Sequence, residues 1–342
     1  MSLTSFTGQS KELKEKFKTA LRRPAFGLKH PLLAPPISQN YSIVGQAFDY
    51  LLRFYLERRL PKLIMHTPDW VANLSLNYIM STYQPKKTRE IWIGRMHDVK
   101  VNRVKFLDML TENYLIAEDE YKTFLLSGKI TDQLLESCLF LARLDVTVRA
   151  GMIDPKLGNE IQDDIADLQA LYGLIREEHF AAQERILLNP TFIGGSLVGG
   201  ADTDLVLDNA LIDIKTTKNL ELDRKDLNQI IGYYFLSRIG GFHGDKTGKP
   251  IQELGIYFSR FGIMYKFQVS ELGDESDLEN CKKWFFDHAN QLFHGGRYLV
   301  IKRKLEKAKA LQQKKKSKNK STDRLTPQKK TISKSKGKNG RK

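Results

Sequence analysis

Three aspartates and a lysine lie within the most apolar, strand-like part of the chain. Residues 199–219 read GGADTDLVLDNALIDIKTTKN. Burying a charged side chain costs free energy unless the charge is paired or holds a metal ion. Charges in such a segment therefore indicate a chemical site rather than ordinary packing. The residues concerned are Asp202, Asp204, Asp213 and Lys215.

A β-hairpin would bring these four side chains together. Asp208–Asn209 suits a two-residue turn, because both residue types tolerate positive φ. With this turn, Asp204 would face Asp213 and Lys215 would face Asp202 on the neighbouring strand. Side chains alternate between the two faces of a strand. The register therefore predicts that all four charged groups share one face.

The predicted pairing of two carboxylates calls for a positive charge between them. Opposed carboxylates with Cβ atoms about 5 Å apart repel each other. A divalent cation meets this need, and Mg²⁺ prefers a few carboxylates while keeping several waters. A neighbouring lysine can position water and stabilise a phosphoryl-transfer transition state. The pattern predicts phosphodiester hydrolysis dependent on Mg²⁺ or Mn²⁺; the alternative is an exposed hairpin face with a chance Asp–Lys ion pair.

The stretch DLVLDNALIDIKTT resembles the core of the PD-(D/E)XK nucleases, where an Asp enters the second strand and Asp-x-Lys lies on the third. Gln229 and Tyr233 on the following helix resemble the Q-x-x-x-Y element of the RecB-like branch. In that branch a first helix carries Gly-x-x-x-His, whose histidine binds metal. Here Gly45-Gln-Ala-Phe-Asp49 occupies that place, so Asp49 would supply an oxygen ligand instead. The resemblance covers roughly residues 41–270.

The resemblance implies roles for the residues of the hairpin. Asp204 and Asp213, with the backbone carbonyl of Ile214, would hold the metal ion. Lys215 would orient the attacking water and balance charge. Asp202 is the alternative ligand on the second strand, because Gly-Gly-Ala-Asp before the strand matches the RecB-like spacing.

Residues outside the hairpin complete the implied site. Gln229 and Tyr233 lie one helical turn apart and share a face, where they would brace the site or guide the nucleic-acid strand. Asp49 is the first candidate for the ligand on the first helix. The alternatives precede the hairpin and are Glu177, Glu178 and Glu184.

The net charge of the chain is concentrated at its C-terminal end. Residues 302–342 contain 18 Lys or Arg and two acidic residues, a net charge of +16, whereas the whole chain carries +15. The preceding 301 residues therefore sum to −1. This tail, nearly free of large apolar side chains, is predicted to be disordered and to tether phosphate backbones; the alternatives are a solubilising end or a localisation signal. The candidate nucleic-acid contacts are Arg224, Lys225, Lys314, Lys315 and Lys316.

The order of elements predicts an α/β fold. Together with the resemblance, it implies a restriction-endonuclease-like mixed β-sheet core flanked by helices, with a large all-helical insertion. Within a nuclease domain over residues 41–300, the last part reads strand, strand, helix, strand, strand, helix. The expected segments are an extended lead-in over 1–40, a first helix over 41–60, a helical insertion over 65–186, the catalytic core over 187–300 and the tail over 301–342.

Composition excludes several classes of protein. Cys138 and Cys281 are too few for a disulfide framework or an iron–sulfur cluster. No apolar run approaches the ~20 residues of a membrane span. These features predict a cytoplasmic protein that lies at the nucleoid or in a nucleus and does not associate with a membrane. The predicted partner is nucleic acid, with DNA favoured. No heptad pattern assigns an oligomeric state. The alternative function is a catalytically silent nuclease-like fold that binds nucleic acid or a protein.

Overall fold

The computed structural model describes residues 3–66, 69–159 and 161–294. The described chain up to residue 287 forms one compact unit, and residues 288–294 at the end of the last helix are assigned to a second. The basic tail, including Lys314, Lys315 and Lys316, lies outside the described residues. None of the described helices is long and apolar enough to cross a bilayer.

Eight strands form two sheets in the described part of the chain. The strands are β1 (Ile64–His66), β2 (Glu90–Ile93), β3 (Val99–Asn102), β4 (Ile186–Leu188), β5 (Leu205–Leu207), β6 (Ala210–Lys215), β7 (Glu253–Phe258) and β8 (Ile263–Gln268). The larger sheet has the order β1-β4-β5-β6-β7-β8, and β2 pairs with β3 in a separate hairpin. The β1–β4 and β6–β7 pairs are parallel and the other pairs are antiparallel. The fold is therefore α/β with a mixed six-stranded sheet.

Helices cover the sheet. The α-helices are α1 (Leu3–Gln9), α2 (Lys11–Ala20), α3 (Tyr41–Arg59), α4 (Val71–Tyr83), α5 (Arg103–Ser127), α6 (Asp132–Ala150), α7 (Gln162–Tyr172), α8 (Arg224–Gly240) and α9 (Glu275–His294). Ile186, Leu205 and Ile212 belong to the core cluster shared with α3 and α6. Val206 and Leu211, which alternate with them, are equally buried on the other face. Both faces of the central strands are thus covered, as apolar runs such as LVL and ALI require.

The predicted β5–β6 hairpin is confirmed up to its third residue pair. Asp208 adopts a positive φ of 49° in the turn, and Leu207 pairs with Ala210 and Leu205 with Ile212. The ladder ends there. The expected pairs of Asp204 with Asp213 and of Asp202 with Lys215 were wrong, because β5 begins at Leu205 and Asp202 instead bridges Thr191.

Most of the predicted helices are confirmed. The first helix, expected over residues 41–60, is α3, and α4, α5 and α6 lie within the helical insertion expected over residues 65–186. Thr131 accepts a hydrogen bond at the start of α6, and Gly151 ends this helix with a φ of 70°. Asp223 caps α8 in the same way, by accepting from the backbone N–H of Asp226. Local capping chemistry therefore fixes several helix ends.

Two expectations about the N-terminal half were wrong. The insertion over residues 65–186 is not all-helical, because it contains the β2–β3 hairpin and β4 begins at its end. Ile91 and Ile93 are buried while Trp92 between them is exposed, which is the alternation of a strand. The lead-in over residues 1–40 is not extended throughout, because α1 and α2 occupy most of its first half.

Candidate active site

One cavity of about 660 Å³ collects the side chains that the sequence singles out. It lies at the C-terminal end of β6, and residues of α1, α3, α6, α8 and the segment before β5 also line it. Elements far apart in the sequence therefore meet at a single place. The charged residues that line the cavity are Asp49, Arg149, Asp202, Asp204, Asp213 and Lys215.

The ammonium group of Lys215 is held by three acceptors. Its Nζ lies 2.8 Å from Oδ2 of Asp213 and 3.2 Å from Oδ1 of Asp226, and it donates to Oε1 of Gln229 at 3.0 Å. Burial alone would lower the pKa of Lys215, but Asp213 and Asp226 raise it above its ordinary value. The group therefore stays charged at neutral pH and acts as a fixed cation.

Asp204 is fixed by the backbone of the neighbouring strand. Its Oδ2 accepts the N–H of Ile214 at 2.6 Å, a contact that takes the place of the expected strand pairing. Burial raises the pKa of Asp204 well above its ordinary value, and the nearby charges of Asp213 and Asp49 raise it further. The negative charges around Asp204 are therefore not fully neutralised by the neighbouring cation Lys215.

Asp49 approaches the same place from α3. One of its oxygens, Oδ2, pairs with Arg53 at 3.0 Å, while the buried Oδ1 has no hydrogen-bond partner. Burial raises the pKa of Asp49 although Arg53 opposes this effect. Gly45, one turn earlier, lies against Thr216, where an added Cβ would come within 3.4 Å of the threonine Cβ. The small residue lets α3 reach the end of β6.

The alternative acidic residues of the sequence analysis lie elsewhere. Glu177 pairs with Arg59 and Glu184 pairs with Lys249, both in exposed positions. Neither of them lines the cavity, and Glu178 does not line it either. Among the first-helix candidates, the structure therefore brings only Asp49 to Asp204 and Asp213.

Asp202 lines the cavity but has a partner that the sequence did not indicate. Its Oδ2 accepts from Nη2 of Arg149 at 3.0 Å. Arg149 lies in the last turn of α6, and its Nε also lies 3.7 Å from Asp145. The spacing of Asp145 and Arg149 in the apolar sequence LARLDVTVRAG indicates a polar stripe on the helix. The contact of Arg149 with Asp202 could not be predicted, because the two residues are separated by 53 positions in the sequence.

Gln229 and Tyr233 support the lysine from α8. Nε2 of Gln229 donates to the hydroxyl of Tyr233 at 2.9 Å and to Oγ1 of Thr4 at 3.4 Å. The ring of Tyr233 stacks on Phe192 with centroids 5.6 Å apart. Because burial raises the pKa of Tyr233, its hydroxyl remains protonated. The chain from Thr4 to Lys215 fixes the orientation of the amide, and the sequence did not predict the contributions of Thr4 and Asp226.

The remaining basic candidates lie away from the cavity. Arg224 and Lys225 form the first residues of α8, and neither lines the cavity. Arg224 is partly buried, which lowers its pKa, whereas Lys225 is exposed. The structure thus places them outside the charged cluster.

The donor set fits a small divalent cation. Four carboxylates line the cavity against the two cations Lys215 and Arg149, and one carboxylate oxygen of Asp49 is buried without a hydrogen bond. Across residues 3–66, 69–159 and 161–294, no three His, Cys, Asp or Glu side chains form a ready-made set of metal ligands. Mg²⁺ suits such an arrangement, because it takes one or two carboxylates and completes its shell with waters.

Comparisons with known proteins give no relative: no family model, no curated protein and no solved structure matches the chain. The function must therefore be inferred from the side chains of the cavity.

Proposed function

We propose that the protein is a metal-dependent nuclease that hydrolyses phosphodiester bonds, with DNA as its substrate and partner. The proposed fold is the restriction-endonuclease-like core of the RecB-like PD-(D/E)XK branch. The contact between Lys215 and Asp213 at 2.8 Å, in a cavity shared with Asp204 and Asp49, carries the proposal. An ammonium group beside several incompletely neutralised carboxylates is what a metal-assisted attack on phosphate requires.

Asp204 and Asp213, with the carbonyl of Ile214 and the carboxylate of Asp49, would hold Mg²⁺ or Mn²⁺. When bound, such an ion would polarise a phosphoryl oxygen and acidify a coordinated water. Of the two aspartates that precede β5, Asp204 is the stronger candidate, because Arg149 already neutralises Asp202.

Lys215 would act as a charge rather than as a base. Its raised pKa keeps it protonated at neutral pH, so it cannot accept the proton of the attacking water. Instead the N–H that now contacts Asp213 would turn to that water, and the ammonium charge would offset the negative charge that grows on the phosphorus-bound oxygens. Gln229 and Asp226 would keep the ammonium group in place through the contacts at 3.0 and 3.2 Å.

Arg149 would serve the substrate. It lines the cavity with a partly exposed guanidinium group, and guanidinium groups bind phosphate oxygens through two parallel hydrogen bonds. A phosphate next to the scissile bond could therefore replace Asp202 as its partner. The helical insertion would in this way contribute to substrate binding.

Incubation of the protein with labelled DNA and RNA, single- and double-stranded, tests the proposal. We expect cleavage with Mg²⁺ or Mn²⁺, none with EDTA, and none by Asp213→Asn. Asp108→Asn, an exposed change on α5, is the matched control and should cleave like the wild type. Retention of nucleic acid without cleavage under all conditions would overturn the proposal and support the binding-only alternative.

A further inference from the structure

The β2–β3 hairpin presents an aromatic residue and a flexible apolar side chain to solvent. Ile91 and Ile93 point into the core, whereas Trp92 between them is 50% exposed. Met96, in the turn, is 85% exposed. Lys100 is the cross-strand partner of Trp92, and its Nζ lies 5.8 Å from the centre of the indole ring. Lys100 also pairs with the exposed Glu90. The outer face of the hairpin therefore combines an accessible π-surface with a cation whose exposed partner a phosphate would have to replace.

The hairpin and its flanks are strongly basic in a body that is otherwise acidic. Residues 85–105 contain seven Lys or Arg and two acidic residues, a net charge of +5. Because residues 1–301 together carry −1, the rest of the body carries −6. A concentration of positive charge in one exposed segment favours a polyanionic partner. The exposed basic residues are Lys86, Lys87, Arg89, Arg95, Lys100 and Lys105.

The hairpin is anchored close to the wall of the cavity. The N–H of Gly94, at the start of its turn, donates to the carbonyl of Ile153 at 3.0 Å. Ile153 lies four residues after Arg149, which lines the cavity, and four residues span at most about 14 Å. That distance corresponds to about four nucleotides at ~3.4 Å per step along one strand. A strand bound in the cavity could therefore reach the hairpin without a large detour.

We propose that the β2–β3 hairpin binds a single-stranded segment of the nucleic acid next to the cavity. One base would stack on the exposed face of Trp92, and the surrounding Lys and Arg side chains would neutralise phosphates. A single strand fits better than a duplex, because stacked base pairs hide their faces from an indole ring. The inference names the substrate class of the proposed function, but the binding it describes does not depend on cleavage.

Tryptophan fluorescence of the full-length protein, titrated with a single-stranded oligonucleotide in EDTA, tests the inference. We expect quenching in the wild type and loss of most of it in Trp92→Phe. The affinity of each variant is measured separately, from the fluorescence anisotropy of a labelled oligonucleotide, and should be nearly unchanged in Trp92→Phe, since phenylalanine still stacks. Trp70 packs against Phe54 and Tyr121 and should contribute little to the signal. Stacking of one base is worth about 5- to 150-fold in affinity, so Trp92→Ala should weaken binding by this factor.

Tyr78→Ala is the matched control, because Tyr78 is 58% exposed on α4, a helix without basic residues. It should bind like the wild type, and a duplex of the same length should quench less than the single strand. Undiminished quenching in Trp92→Phe, or Trp92→Ala affinity within about twofold of the wild type, would overturn the inference and leave the hairpin as a surface for a protein. EDTA prevents cleavage, so this titration measures binding alone. A wild type that binds the oligonucleotide in EDTA but does not cleave it with Mg²⁺ or Mn²⁺ would refute only the proposed function.

Discussion

Two groups of buried aspartates in this molecule differ in how completely their charges are paired. On α7, Asp164 and Asp167 are fully buried, and each has a guanidinium partner. Asp167 accepts from both terminal nitrogens of Arg260, at 2.7 and 3.0 Å. Asp164 accepts from Arg143 at 2.7 Å and from Asn40 at 3.0 Å. Every charge in this group is matched.

The cavity shows the opposite balance. Asp204 and Asp213 share a single ammonium group, that of Lys215, which Asp226 also contacts. Asp49 keeps a buried oxygen without a hydrogen bond. Burial and mutual repulsion raise the pKa of Asp204. Buried charges in a purely structural role are paired. The difference therefore agrees with a structural role for the α7 aspartates and with the proposed ligand-binding role for the cavity aspartates.

The largest effect should follow from Asp213→Asn in the cavity. The amide keeps the size of the side chain but removes the proposed metal ligand and the negative charge beside Lys215. We expect the rate of metal-dependent cleavage to fall by about 10²–10³-fold. The melting temperature should change little, because Asp226 and Gln229 still hold Lys215 and the repulsion between Asp213 and Asp204 disappears. If the variant retained more than a tenth of the wild-type rate, cleavage would not depend on the carboxylates of this cavity.

Asp167→Asn should affect stability instead. It leaves the guanidinium of Arg260 buried and unpaired, which costs about 3–5 kcal/mol of the free energy of unfolding. Urea denaturation measures this loss, and cleavage per folded molecule should not change. Asp163→Asn, an exposed change on the same helix, should stay within about 0.5 kcal/mol of the wild type. A similarly small effect for Asp167→Asn would erase the contrast between the two groups.

Asp204→Asn should stabilise the metal-free protein. The amide oxygen can still accept the N–H of Ile214, while the repulsion from Asp213 and Asp49 disappears. Removal of a charge that serves function is expected to raise the free energy of unfolding by about 0.5–2 kcal/mol. Denaturation in EDTA measures the change. A loss of stability would mean that Asp204 belongs with the structural aspartates.

Asp145, which lies 3.7 Å from the cavity residue Arg149, should make the stability of the protein depend on pH. Burial raises its pKa to about 6, although Arg149 and Tyr50 oppose this. Since the folded state holds the proton more tightly than the unfolded state, stability falls as the pH rises from about 4 to 6 and stays lower above it. Asp145→Asn lacks this ionisation, so its stability relative to the wild type should rise by about 2 kcal/mol across that window. A difference in the free energy of unfolding that does not change with pH would contradict the raised pKa of Asp145.

The hairpin that carries the site could be predicted because its determinants are local. The turn at Asp208–Asn209 and the apolar alternation around it fix the register of β5 and β6. The positions of Asp213 and Lys215 on one strand follow from that register. Gln229 and Tyr233 follow in the same way from the spacing of one helical turn.

Other features depend on contacts that local patterns do not encode. Helix α1 has seven residues, too few to be stable alone, and it is held by packing of Leu3 and Thr7 around Gly232 on α8. Strand β4 is a three-residue apolar run that periodicity cannot distinguish from the end of a helix. The pairing of Arg149 with Asp202 joins distant segments. These contacts join segments that are distant in the sequence, and they position the walls of the cavity. Local sequence patterns therefore could not predict them.

Titration of Mn²⁺ monitored by electron paramagnetic resonance tests most directly whether the cavity carboxylates hold a divalent cation. The wild type is expected to bind Mn²⁺ stoichiometrically, with displacement by Mg²⁺. Asp213→Asn should lose this binding, and Asp163→Asn should keep it. Absence of binding to the wild type, or undiminished binding to Asp213→Asn, would contradict the claim.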